Sequence, residues 1–412
     1  VRRHAFVRAD QAVLDDLQER LLRFRAVPSA HRHGDPLGGG SDDSAGDLGV
    51  PAGLLSALLE HWRSGYDWRV HEDRVAAHPW FETERTAVPL RAVVREAVVR
   101  EAVVREAVVP DVAPATLAAS GTSDGPSAPG DPGGSAAPVV LLLHGWPDSV
   151  LRFERLFPLL SDVTVVAPAL PGFPFAAPVP QGGLSSTAMA DAVAAAMEEF
   201  GFARYVVSAG DVGCDVAEAL AARHPGAVSA LHLTDVSQYH FLHDVPADLD
   251  AEERAYLARG TRWQAEEGGY MHEQATRPNT LAVGLGDSPA GLAAWITEKL
   301  LRWSDGDGSL TDVFSLDEAL TWITAYWVSG TVGTSFTPYA AAGAKNWSRV
   351  EVPTVVTVFA HDLVNAPRRF AERFFDVVQW REYERGGHFA AWERPGDYLW
   401  GVRAAVDHRR SG

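Results

Sequence analysis

Apolar residues recur along this chain in two rhythms. Five short stretches, 139 to 143 (VVLLL), 163 to 167 (VTVVA), 205 to 208 (YVVS), 229 to 234 (SALHLT) and 353 to 359 (PTVVTVF), are apolar at most positions. Such runs suit strands buried on both faces, since a strand with one wet face would alternate. Helical patterns lie between most of them. This alternation predicts an α/β fold, a mostly parallel sheet with helices on both faces. At the amino end, residues 10 to 25 (DQAVLDDLQERLLRFR) carry Leu14, Leu17, Leu21 and Leu22 at helical spacing behind a capping Asp10. A second helix is expected near 51 to 64. Between about 240 and 345 the pattern changes to helices rich in Trp and Tyr with no clear strand, which predicts a helical cap inserted into the α/β domain.

Two stretches break the rhythm. Residues 29 to 50 are rich in Gly, Ser and Asp and read as a loop. Residues 93 to 109 repeat a pentapeptide, VVREAVVREAVVREAVV, whose period fits neither a helical stripe nor strand alternation and is too short for a solenoid. Low-complexity Pro, Gly, Ala, Ser and Asp follow to residue 138, so 93 to 137 is expected to be a flexible expansion between two strands. The resulting division is an amino-terminal extension with the first strands (1–92), the insertion (93–137), the first part of the core (138–239), the cap (240–345) and the second part of the core (346–412).

Charge and cysteine content narrow the function classes. With 36 Lys and Arg against 54 Asp and Glu, the net charge of −18 opposes binding to nucleic acid or an anionic membrane surface, and no basic patch overrides it. There is no run of eighteen apolar residues and no signal-peptide layout, which leads to an expectation of a soluble, cytoplasmic protein. The single Cys214 excludes an internal disulfide framework and a multi-cysteine metal site, and His31 and His33 lack companion ligands. No metal or cofactor is expected. The only two lysines are Lys299 and Lys345, and the sequence assigns them no function.

The chemistry concentrates in YVVSAGDVGCDVAEALAARHP, residues 205 to 225. A short strand runs through Gly210, Asp211, Val212 and Gly213 into an alanine-rich helix. Small residues on either side of a nucleophile are what a strained strand-to-helix turn needs, because larger ones would collide with neighbouring backbone. Asp211 at the tip would attack as a carboxylate and form an ester, although an Asp here could equally be a helix cap. In α/β hydrolases the nucleophile, the acid and the histidine follow in that chain order. Asp362 ends a strand in VTVFAHD, and His388 lies in the glycine-flanked ERGGHFAAWERP. HGWP at 144 to 147 fits the loop that supplies one oxyanion amide, giving Trp146 and Val212 as the expected pair of donors. His144 is expected to be structural, and Cys214, inside the first helical turn, a packing residue.

HGWPDS, LPGFPF (170–175), the Gly-Asp-x-Gly turn, TRPNTLAVGLGDSPAGLAAWITEK (276–299) and GGHFAAWERP together resemble the microsomal-type epoxide hydrolases of the α/β hydrolase superfamily. LLRFR and GYDWR near the amino end are similar to that family's N-terminal extension. The resemblance implies opening of an epoxide to a vicinal diol through an ester on Asp211, without a cofactor. It also implies two tyrosine donors to the ring oxygen, Tyr270 in EEGGYMHEQATRP and Tyr339 in GTSFTPYAAAG. The chain departs from the family pattern at Val212, where tryptophan is usual, in lacking the arginine and glutamate often found near the second tyrosine, and in lacking a membrane anchor.

The expected partners are therefore a small-molecule epoxide and water, with no nucleic acid and no membrane; a homodimer remains open. Thirteen tryptophans and an aromatic cap suit a hydrophobic or aryl epoxide, whether from secondary metabolism or detoxification. Two other readings stand beside this one. A haloalkane dehalogenase also uses an aspartate turn, but Val212 removes the tryptophan commonly used to hold halide. A catalytically silent binding protein would keep the same pocket.

Overall fold

Nine strands build one sheet in the computed structural model, which describes residues 2–4, 6–28, 48–98, 137–179, 182–243, 245–347 and 349–409. They are β1 (Arg2–Arg3), β2 (Trp80–Glu82), β3 (Arg91–Arg95), β4 (Val139–Leu143), β5 (Thr164–Pro168), β6 (Tyr205–Ala209), β7 (Val228–Leu233), β8 (Val350–His361) and β9 (Phe375–Gly387). Their spatial order is β1-β2-β3-β5-β4-β6-β7-β8-β9. The first three strands run antiparallel to their neighbours, and every pairing from β5 to β9 is parallel. The α/β hydrolase expectation holds.

Strand order places the site. β4 pairs with β5 on one side and with β6 on the other, so the direction in which the sheet grows reverses around β4. At such a reversal, loops leave the carboxyl ends of neighbouring strands in opposite directions and open a crevice. Leu143 pairs with Ala209, so HGWP and the Asp211 turn emerge side by side.

The apolar runs became the central strands. β5, β6 and β7 are buried at every residue, and β4 at all but its first. The helix Val212–Arg223 packs beside Ser186–Glu199, where the Ser185 hydroxyl accepts from the Ala188 amide, and the helix Pro395–Arg409 covers β7 and β8. At the amino end, Asp10 caps Gln11–Arg23 by accepting from the Ala12 amide. Leu17 and Leu21 of this helix are buried, but Leu22 is exposed because a one-residue step turns it about 100° away from that stripe. GYDWRVHE opens a further helix, Trp68–Ala76, whose fully buried Glu72 accepts from the Trp68 indole, the Arg69 guanidinium and the Ala9 amide. It ties the extension together.

Some expectations need correction. The boundary placed at residue 92 falls inside β3, because Val93, Val94 and Arg95 pair with Ala167, Val166 and Val165 of β5. The first copy of the repeat is thus part of the sheet. The rest of the expansion, 99–136, lies outside the described residues, as do His31 and His33. β9 went unseen because WREYERGG is polar; it is the last strand of the sheet, with several residues exposed. Between β7 and β8 the described chain is helical, with helices that include Ala251–Glu266, Gly269–Thr276, Pro289–Arg302 and Leu316–Ser329, and no strand occurs among these residues. Among the described residues no helix is long and apolar enough to cross a membrane.

Candidate active site

Asp211 sits at φ 57° and ψ −133° between β6 and its helix, a conformation that L-residues avoid. Three close approaches explain the glycines around it. A Cβ on Gly213 would lie 2.4 Å from the Leu143 carbonyl oxygen, one on Gly210 would lie 2.7 Å from the Thr234 hydroxyl, and one on Gly145 would lie 2.4 Å from the Asp211 Cβ. The capping alternative fails. Asp211 makes no side-chain cap; instead its Oδ1 accepts the Trp146 amide at 2.7 Å.

His388 meets this carboxylate from the far side of the sheet. Its Nε2 lies 3.3 Å from Asp211 Oδ2, off the direction of the ring N–H, so the contact is an ion-pair approach rather than an aligned hydrogen bond. Its Nδ1 is 2.8 Å from Asp362 Oδ1, which also accepts the Leu363 amide at 2.7 Å. The histidine loop is fixed by the His388 amide donating to the Trp303 carbonyl at 2.8 Å and by Arg152 donating to the His388 carbonyl. Gly387 has to be small here, since a Cβ would fall 2.5 Å from the Trp303 oxygen. Burial alone would make His388 less basic, but the Asp362 and Asp211 carboxylates outweigh it and push the imidazole up to about 10. Burial likewise opposes ionisation of Asp362, and the neighbouring imidazolium overcomes it, holding Asp362 below the usual carboxylate range.

HGWPDS is rigid for reasons the motif alone conceals. Asp148 Oδ1 accepts the Gly145 amide at 2.7 Å, and Oδ2 holds the buried Arg152 at 2.6 Å. His144 is fully buried and its Nε2 accepts the Leu170 amide at 3.1 Å, which leaves the proton on Nδ1, facing the Gly145 carbonyl. It is structural, as expected. Val212 is buried at the first helical position, but its amide makes no bond to the Asp211 carboxylate; of the two expected oxyanion amides only that of Trp146 does so.

The two expected tyrosines are brought to the same place. The Tyr270 ring stacks on Trp146 with centroids 5.2 Å apart and an interplanar angle of 6°, and the Tyr339 ring lies 6.0 Å from Tyr270 and 6.1 Å from Trp146. Burial, followed by the nearby Asp211 charge, raises both phenols well above their usual range, so both stay protonated at neutral pH. Both line a cavity of about 370 Å³ that also contains Asp211, Asp362 and Val212.

Comparison with known proteins agrees with this geometry. Residues 3–108 match the family described as epoxide hydrolase N terminus, and residues 138–266 match the alpha/beta hydrolase fold. The chain is 33% identical over 362 residues to "Putative epoxide hydrolase" of Stigmatella aurantiaca (strain DW4/3-1), covering 84% of this chain and 74% of the relative. The chain belongs to the epoxide hydrolase family. It is also 27% identical to Epoxide hydrolase 1 of Sus scrofa over 93% of this chain and 83% of that one. The crystal structure of juvenile hormone epoxide hydrolase from the silkworm Bombyx mori superposes with a TM-score of 0.76 at 25% identity, covering 98% of this chain and 93% of the other. Epoxide hydrolysis is thus the activity of this enzyme, and the dehalogenase and silent-binder readings give way to it.

Three residues of the epoxide hydrolase site were missed in the sequence. Asp148 and Arg152 are an i, i+4 pair of opposite charge just after HGWP, a spacing that could have marked them. Asp235 follows β7 as Asp362 follows β8, so the criterion that selected one carboxylate should have selected both. Asp235 Oδ1 faces the Asp211 amide at 3.3 Å and the residue lines the same cavity. Burial, then the Asp362 charge, pushes its carboxyl up to about 7. Cys214 is buried beside it, its thiol held well above the usual range first by burial and then by Asp235, which removes it as a nucleophile.

Proposed function

We propose that Asp211 opens the epoxide and that His388, oriented by Asp362, hydrolyses the resulting ester. The observation that carries this is the position of one carboxylate: Oδ1 is held by the Trp146 amide while Oδ2 faces the imidazole. Oδ2 attacks the epoxide carbon as the C–O bond on the opposite side breaks, and Oδ1 becomes the ester carbonyl, already bonded to its oxyanion donor. Tyr270 and Tyr339 give the ring oxygen its proton, since an alkoxide is a poor leaving group. The Lys299 ammonium, paired with Glu298, lies 4.7 Å from the centre of the Tyr270 ring.

Esterification then changes His388. With Asp211 neutralised, one of the two carboxylates that hold the proton on the imidazole is gone, so its basicity falls. The proton it sheds balances the one the tyrosines gave up. The neutral imidazole takes a proton from water, which attacks Cγ of Asp211, and the negative charge develops on Oδ1, which accepts the Trp146 amide. The diol leaves. The helices between β7 and β8 serve as a cap that carries both tyrosines, and the aromatic wall of Trp146, Tyr270 and Tyr339 supports an aryl or otherwise hydrophobic epoxide.

A single turnover with styrene oxide in ¹⁸O-water tests the scheme. The label is expected in the Asp211 side chain and not in the diol, and His388→Gln is expected to accumulate protein heavier by one epoxide. Label entering the diol directly in the first turnover would sink the covalent route.

A further inference from the structure

Around Lys345 the cavity wall mixes aromatic with ionic groups, Tyr239 and Trp347 standing beside Asp215. Asp215 lies four residues after Asp211, in the first turn of the helix that Asp211 precedes, and both line the cavity. Asp215 Oδ1 accepts from the Ser237 hydroxyl at 2.5 Å and from the Lys345 ammonium at 2.9 Å. Neither bond falls on Oδ2, and a third of the Asp215 side chain remains exposed. Lys345, itself in the cavity wall and 9% exposed, also donates to Glu218 at 2.5 Å. Glu218 lies behind the wall, fully enclosed, and takes the Trp347 indole at 2.9 Å and faces the His240 imidazole at 3.1 Å. Gln238 and Gln264, joined at 2.6 Å, continue the polar wall.

This cluster holds two carboxylates against one ammonium. Burial alone would neutralise Glu218, but Lys345 and, after it, His240 hold it down to about 2, and the two carboxylates together push Lys345 up to about 12, against burial. The carboxylate of this cluster that reaches the cavity is Asp215. A wholly apolar substrate filling this cavity would strip water from that oxygen and return nothing.

We infer that the epoxide carries a hydrogen-bond donor, a hydroxyl or an amine N–H, about one helical turn from the carbon under attack, and that Asp215 accepts it. This rests on the proposed role of Asp211 and narrows its substrate class to amphipathic epoxides, with the ring and aryl part against Tyr270 and Tyr339 and the donor at Asp215.

Styrene oxides bearing a hydroxymethyl group at the meta or para position, compared with their methoxymethyl analogues, isolate the donor. For at least one position kcat/KM is expected to favour the hydroxyl compound about 10- to 100-fold, the range of a hydrogen bond to a charged group. In Asp215→Ala that ratio is expected to fall to within about twofold, consistent with loss of that bond. Because both substrates are measured on the same sample, partial misfolding of the variant cancels. Equal turnover of the paired compounds by the unaltered enzyme at both positions, or a preference that survives Asp215→Ala, overturns the inference while leaving epoxide hydrolysis standing. Absence of diol from every compound would overturn the reading of the site and this inference together.

Discussion

The two walls of the active site are made differently. On the sheet side, Asp211, Asp362 and His388 follow the ends of β6, β8 and β9, strands of one hydrogen-bonded sheet, and all three are ionisable. On the helical side, Tyr270 and Tyr339 are neutral donors on short helices, held by ring stacking on Trp146 and against one another. Bonds to carbon need a nucleophile at a fixed angle, which a strained turn between a strand and a helix supplies. A donor that follows the departing oxygen can sit on a less rigid support. In the proposed scheme this division puts covalent chemistry and proton donation on separate layers.

Removing the nucleophile should cost most. Asp211→Ala is expected to reduce diol formation by about 10⁴-fold or more, with no ester detectable by mass spectrometry; activity within tenfold of the parent would move the chemistry off the sheet. Tyrosine substitutions should cost less and act earlier in the cycle. Tyr270→Phe and Tyr339→Phe are each expected to slow ester formation by about 10- to 100-fold in stopped-flow measurements, with the double variant worse than either. If they slowed only the second half-reaction, the split between layers would be wrong.

The smallest effect concerns Asp235. An ordinary aspartate ionises near 4 in the unfolded chain, whereas Asp235 in the folded protein is pushed up to about 7. The folded state therefore binds this proton more tightly, and stability from this group is lost as pH rises from about 4 through 7. Asp235→Asn removes the titration, so its Tm relative to the parent is expected to improve by roughly 2 °C between pH 5 and pH 8. His388 acts in the same direction but in a higher window: its folded value of about 10 stabilises fully below about 6.5 and that contribution is lost toward pH 10. A parent-variant difference that does not change between pH 5 and pH 8 would remove Asp235 from the electrostatics of the sheet side.

Much of the sheet side was readable because its constraints are local. Gly213 and Gly387 stand where a Cβ would meet backbone, and Gly210 where it would meet the Thr234 hydroxyl, and such requirements leave glycines in the sequence at short fixed distances from Asp211 and His388. The tyrosines were different. Nothing about Tyr270 or Tyr339 in isolation separates them from packing residues such as Tyr256, and only resemblance singled them out. The two lysines show the limit most plainly. In a chain whose other side-chain cations are arginine and histidine, Lys299 lies over the Tyr270 ring and Lys345 anchors Asp215, and neither placement follows from any spacing.

Taken alone, the order of residues determined the buried strands, the helices that cover them, the strained turn and the chain order of Asp211, Asp362 and His388, because apolar runs and backbone crowding act over a few positions. Tertiary structure decided which carboxylate does what. Asp235 and Asp362 close adjacent parallel strands, yet one meets the imidazole at 2.8 Å and is ionised while the other sits beneath the Asp211 amide and is driven toward its neutral form. Protonation depends on burial and on charges brought together through space from distant parts of the chain, and that information exists only once the sheet has formed.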